Sequence, residues 1–352
     1  MREMYHPGRR CRSPCSSLQA QGNRSMKNME GKGMKKSGSI MKAILTALLV
    51  LALCIPLSAM GEDSYTVGIC QLVQHDALDA ATQGFKDAIV EALGDKVTFD
   101  EQNAQGDSAA CNTIVNTFVS KKVDLILANA TPALQAAYNA TTTIPILGTA
   151  ITEYGVALQL SDFNGTVGGN VSGTSDLAPL TEQADMILEL FPDVKNVGLL
   201  YCSAEANSEY QVKVVEEYLA EKGVASTRFS FADSNDIAAV TTKAAADSDV
   251  IYIPTDNTAA SCTETIGNIV TAQKVPVIAG EQGICLGCGV ATLSISYYDL
   301  GYKTGEMAVR VLTGEADIST MPIEYAPATK MYNSAICEEL GVEIPEGYEA
   351  LN

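Results

Sequence analysis

Side chains suited to holding a small charged solute recur at one kind of place in this sequence, directly after a short apolar run and before a helical stretch. Gln71, His75, Asp76 and Asp79 follow the first such run, and Asn129, Thr131 and Pro132 follow a later one. Ser175 and Asp176 precede another helical stretch; Glu205, Asn207 and Ser208 come after Tyr201, Asp256 and Asn257 after Ile253, and Glu281 after Ile278. A helix start offers free backbone N–H groups and the positive end of a dipole, enough to hold a carboxylate without arginine. Neighbouring Asp and Glu side chains can hold an ammonium. Together the set fits a zwitterion such as an amino acid. Taken singly, each residue is also an ordinary helix cap; recurrence at corresponding places is what favours binding, and the two roles are compatible. Tyr154, Tyr201, Tyr297 and Tyr298 stand near strand ends or crossings, where they could line a pocket.

Reactive motifs are weaker. Cys285-Leu286-Gly287-Cys288 has the spacing of a redox dithiol or half a zinc site, but it is expected to precede a strand rather than to open a helix, and no second pair or histidine cluster completes a metal site. His75 lacks an evident nucleophile to serve. No Walker loop, nucleophile elbow or dinucleotide fingerprint occurs, so neither catalysis nor a cofactor is implied. An extracellular thiol oxidoreductase centred on Cys285 and Cys288 is kept as an alternative.

The elements that must position these groups alternate strictly. Strands are expected at 66–72, 97–101, 123–128 and 144–147, with helices at 78–93, 108–120 and from Thr131-Pro132, where Thr131 is read as the cap. The same grammar restarts with helices at 176–190, 208–222, 236–246 and 258–273 and strands at 197–201, 227–231, 250–253 and 275–278. Val67-Gly68-Ile69 is echoed by Val197-Gly198-Leu199, Asp124-Leu125-Ile126 by Asp249-Val250-Ile251, and Ile144-Pro145-Ile146 by Val275-Pro276-Val277. Two similar α/β lobes in series follow, each a doubly wound parallel sheet. A strand at 289–297, a helix at 299–312 and an extended piece at 323–326 then recross between the lobes, which makes a multi-crossover hinge with a cleft. Lobe 1 is expected to comprise 61–168 and 290–316, and lobe 2 169–289 and 317–352.

Of the 23 Lys+Arg, ten lie in residues 1–60 with only two of the 42 Asp+Glu, leaving a strongly acidic remainder. Such a surface repels nucleic acid. Residues 1–33 are polar and basic and read as a leader from an early start codon. Residues 34–60 read as a signal peptide: Lys35, Lys36 and Lys42, an apolar run at 43–57, then Ser58 and Ala59. Leu51-Ala52-Leu53-Cys54 offers a lipoprotein box as a rival, and a retained anchor is a third reading; all place the folded part outside the cytoplasm. Seven cysteines follow the leader, most of them expected as buried small hydrophobes.

Six segments together resemble the substrate-binding proteins of ABC transporters whose better-understood members bind tryptophan or other aromatic amino acids, with the type I periplasmic-binding-protein fold. They are His75-Asp76-Ala77-Leu78-Asp79 with Gly84-Phe85-Lys86, Ala130-Thr131-Pro132-Ala133, Ser172-Gly173-Thr174-Ser175-Asp176, Glu205-Ala206-Asn207-Ser208, Pro254-Thr255-Asp256-Asn257-Thr258 and Tyr297-Tyr298-Asp299-Leu300-Gly301. Asp76 stands where proline is usual, and Glu153-Tyr154 where the family tends to have Asp-Pro. The resemblance implies an interlobe pocket contacted by Asp79, Thr131, Ser175, Asp176, Asn207, Ser208, Asp256 and Asn257, to which position adds Pro132, Glu281 and Tyr298. It implies a monomer that delivers an amino-acid-like solute to an ABC permease and its ATPase. A sensory module reporting to a membrane signalling protein is the alternative.

Overall fold

The structure, a computed structural model, describes residues 64–351. The segments expected as a leader and a signal peptide, with Cys54, lie outside the described residues. β1 (Tyr65–Gln71), β2 (Val97–Asn103), β3 (Leu125–Asn129), β4 (Ile146–Ile151) and β5 (Val171–Ser175) form one sheet. β6 (Asn196–Cys202), β7 (Ala225–Phe231), β8 (Val250–Ile253), β9 (Val277–Ala279) and β10 (Ala291–Ser294) form a second. β11 (Glu324–Tyr325) returns to the edge of the first sheet, while β12 (Thr329–Asn333) and β13 (Glu349–Leu351) complete the second. The first sheet, ordered β11-β5-β4-β3-β1-β2, is parallel throughout; in the second, ordered β13-β12-β10-β9-β8-β6-β7, only the β10–β12 pair is antiparallel.

Apolar residues on both faces of the strands explain this layering, since a parallel sheet must be covered on each side. Val67 and Ile69 of β1 meet Phe85, Ile89 and Met307, whereas Cys70 of the same strand joins Cys111, Val115 and Phe118 opposite. The second sheet divides likewise, with Ile251 and Ile253 against Ile266 and Phe229, and Tyr252 among Ile187, Val212 and Leu219. Helices Asp76–Leu93 and Tyr297–Leu312 cover one face of the first lobe and cross very closely: a Cβ on Gly84 would lie 2.1 Å from the Tyr298 carbonyl oxygen, and one on Gly301 1.9 Å from that of Ala81.

Several boundaries differ from the sequence expectation. Residues 171–175 are a strand, not the approach to a helix, and that helix begins only at Leu180. Gly173 permits this pairing, with φ of 145° and a backbone approach to Gly148 that a side chain would block. The expected helix at 258–273 is two, Asn257–Ala260 and Thr263–Gln273. Residues 282–288 form a helix that two glycines disguise, because glycine lowers helix propensity; Cys285 and Cys288 therefore lie in a helix after a strand. The strand behind them, β10, pairs with β9 and stays in the second sheet. The chain consequently changes sheets after Ser175, after Ser294 and after Tyr325, later than the breaks expected at 168/169, 289/290 and 316/317.

Candidate functional site

The carboxyl ends of the two sheets face each other and enclose a small cavity. His75 and Leu78 follow β1, Thr152 follows β4 and Asp176 follows β5. Asn207 follows β6, Asp256 and Asn257 follow β8, and Glu281 follows β9. Tyr297 enters from the start of its helix. Side-chain contacts cross between the lobes at the cavity: the Thr152 and Thr255 hydroxyls lie 3.3 Å apart, and His75 Nε2 lies 3.3 Å from Asn257 Oδ1. On the outer side a groove of about 240 Å³ is lined by Pro132, Glu205 and Asn257, among others.

Three carboxylates of the second lobe are tied to backbone. Asp256 accepts from Cys202 N at 2.6 Å and Ala259 N at 2.8 Å; burial and the nearby Glu205 nevertheless push its pKa up to about 8. Glu281 accepts from Gly283 N at 2.7 Å and from Ile284 N, and burial pushes it up to about 7. Glu205 accepts from the backbone N–H of Asn257 at 3.0 Å and of Thr258 at 2.9 Å, besides both of their side chains. Asp176 is different. Its Oδ2 takes the Tyr297 hydroxyl at 2.8 Å, its Oδ1 has no protein partner, and burial raises its pKa above the ordinary carboxylate value. Burial lowers the pKa of His75, more than Asn257 and the surrounding carboxylates restore.

Of the residues singled out from sequence, Asp176, Asn207, Asp256, Asn257 and Glu281 meet around the cavity. Ser208 is buried behind them, within 3.3 Å of Asn207 Nδ2. Ser175 lies in β5 and donates to the Thr152 carbonyl at 2.8 Å. Thr131 is buried at the start of its helix, but Ala130 occupies the cap position, with φ of 89°. Pro132 borders only the outer groove. Asp79 accepts from Gln71 at 2.6 Å and borders a separate surface depression with Lys86. Tyr298 is 41% exposed and donates to Asp87 on the outer face of the helix; Tyr297 is the tyrosine of the cavity. That helix begins two residues earlier than expected, which selects the other tyrosine. Thr152 was hidden because β4 runs to Ile151, past the expected end at 147.

Cys285 and Cys288 are free and buried, and burial pushes both thiols up, opposite to what a redox nucleophile needs. Placement after a strand is thus compatible with a redox motif, but the surroundings are not.

Two α/β lobes whose facing strand ends enclose a polar cavity define a solute-binding protein. Residues 66–350 match the family of ABC transporter substrate binding proteins, and the chain belongs to it. Over 271 residues it is 36% identical to the tyrosine-binding protein of Clostridioides difficile (strain R20291), with 75% of this chain and 77% of that protein covered. It resembles the solved ABC domain of Streptococcus pneumonia in complex with L-Trp at 33% identity and a TM-score of 0.77, covering 82% of this chain and all of that one. The ligand-free, open structure of a substrate-binding protein with adhesive properties from Clostridium difficile is 37% identical over 82% of this chain and 99% of its own, yet its TM-score is 0.62. The family binds solutes outside the cytoplasm for a transporter and is not enzymatic.

Proposed function

We propose that this protein captures a free amino acid with an aromatic side chain in the interlobe cavity, closes around it, and presents it to the permease and ATPase of an ABC importer. One observation carries the reading. The described lobes superpose better on the L-Trp complex than on the open relative, although the open relative is more similar in sequence. A difference in the angle between lobes produces such an inversion, and the contacts His75–Asn257 and Thr152–Thr255 are those a closed cleft makes. Closure around a solute and reopening at the membrane is what delivery requires. Leu78, Ala150 and Ala260 supply an apolar wall beside Tyr297.

A thermal-shift panel of amino acids, nucleosides and sugars tests this. A ligand at 100 times its dissociation constant adds about 2.7 kcal/mol, so L-tyrosine or L-tryptophan should raise the melting temperature clearly. A shift with sugars and none with amino acids would contradict it.

A further inference from the structure

Seven cysteines stand among the described residues, and five of them have a partner that is not a cysteine. Cys202 donates to the Ala232 carbonyl at 3.5 Å, Cys285 to that of Gly289 at 3.8 Å, Cys288 to that of Ile284 at 3.3 Å and Cys337 to that of Val290 at 3.3 Å, while Cys262 lies 3.6 Å from the Ser261 hydroxyl. Cys70 and Cys111 have each other. Both are fully buried in one apolar cluster, and their thiols share a hydrogen bond. The packing of helix Ser108–Lys121 along β1 builds this pair. The buried residues of that helix, Cys111, Val115 and Phe118, recur at helical spacing and form one stripe. Phe118 closes on Gly68, where a Cβ would lie 2.7 Å from the ring. At the other end, Ala104 N donates to Gln71 O at 2.9 Å and Gly106 N to Leu72 O at 2.8 Å, which ties the approach to the helix to the end of β1. Helix and strand therefore run in opposite directions, and two turns back from Phe118 the stripe sets Cys111 against Cys70.

We infer that Cys70 and Cys111 are a disulfide site, oxidised while the exported chain folds, that staples β1 to this helix. Substrate-binding proteins of this family work outside the cytoplasm, where disulfides form and persist; the inference rests on that location and not on which solute is bound. The oxidant is a disulfide of that compartment, acting by thiol–disulfide exchange before the two sulfurs are covered. One thiolate of the pair attacks it and forms a mixed disulfide, releasing one thiol; the other thiolate then attacks the bound cysteine sulfur and releases the second. Two S–H bonds become one S–S bond, and the two protons and two electrons leave on the oxidant as a dithiol. β1 leads into His75 of the cavity, and the start of the helix carries Asp107 and Ser108 of the outer groove. The staple thus fixes the rim that the first lobe contributes to the site.

The test is to unfold the protein in guanidinium, refold it in oxidised or in fully reduced glutathione buffer, and match both samples to the native circular dichroism spectrum. Alkylation under denaturing conditions and mass spectrometry of the digest then map the cysteines. After oxidative refolding Cys70 and Cys111 should be recovered as one linked pair, unalkylated until reduced, while Cys202, Cys262, Cys285, Cys288 and Cys337 are alkylated at once. Because the bond closes a loop of about 40 residues, the oxidised protein should melt about 5 °C above the reduced one. Cys111→Ala should abolish that difference, and the double variant Cys285→Ala, Cys288→Ala should keep it. The mapping uses the unaltered chain and needs no variant to fold. Full alkylation of Cys70 and Cys111 after oxidative refolding, or their recovery linked to other cysteines, would overturn the inference and leave the solute-binding reading intact.

Discussion

Glu205 is the position where substitution should reach furthest. Its buried carboxylate gathers the backbone N–H of Asn257 at 3.0 Å and of Thr258 at 2.9 Å, Asn257 Nδ2 at 2.6 Å and the Thr258 hydroxyl at 2.8 Å, without a cation in contact. In Glu205→Ala the two side chains can turn elsewhere, but the two backbone donors cannot, and each unpaired buried donor is unfavourable by about 1–3 kcal/mol. Removing the carboxylate also relieves its repulsion of Asp256, which offsets part of that loss. A net destabilisation of about 3 kcal/mol is expected, read by urea unfolding followed by circular dichroism. Glu205→Gln separates hydrogen bonding from packing: it keeps the volume but turns an NH2 toward groups that are themselves donors, so it should rescue little. Because Asn257 is what His75 contacts across the cleft, both variants should also weaken solute binding. A Glu205→Gln protein within about 0.5 kcal/mol of wild type would refute the acceptor account.

Gly301→Ala places a Cβ 1.9 Å from the Ala81 carbonyl oxygen and must push helices Asp76–Leu93 and Tyr297–Leu312 apart, so the melting temperature should drop by the equivalent of roughly 1–3 kcal/mol; an unchanged value would mean the crossing is looser than described. Of the seven described cysteines, only Cys262 is partly exposed, so an aromatic disulfide reagent should modify it first and reach Cys285 and Cys288 only on unfolding; fast modification of that pair would reopen a redox role. Asp176, Asp256 and Glu281 have folded pKa values above their unfolded ones, so the stability they contribute is full below about pH 4 and is lost as pH rises through about 7 for Glu281 and about 8 for Asp256. The unliganded protein should therefore melt lower at pH 8 than at pH 6, and a rise over that interval would show that these carboxyls are not raised.

What the sequence revealed depended on range. Apolar runs with polar ends locate β1, β3, β6 and β8, because a strand buried on both faces must be continuously hydrophobic. Strand-end logic then reaches Asp176, Asn207, Asp256, Asn257 and Glu281, since a parallel sheet presents those ends together. Side-chain direction is less legible. Tyr297 and Tyr298 are alternatives at one helix start, and a shift of two residues in that start decides which one turns inward. No helix is expected at residues 282–288 because Gly283 and Gly287 mask one that Glu281 caps from outside. The breaks between lobes moved because β5 and β10 earn their places by long-range pairing with β4 and β9, which no local pattern reports. Nor does spacing reveal which carboxylate is spoken for: Asp256 and Asp176 follow strands alike, and only their partners separate a tied oxygen from a free one.

A solute held between His75 and Thr152 on one side and Asn207 and Asp256 on the other should stabilise the closed lobes. Small-angle X-ray scattering with and without saturating L-tyrosine measures this directly. Binding should shift the population toward the closed form and reduce the radius of gyration, bringing the scattering curve to that of the lobe arrangement described here. An unchanged radius, with binding confirmed by calorimetry on the same sample, would place the solute within one lobe and contradict the account.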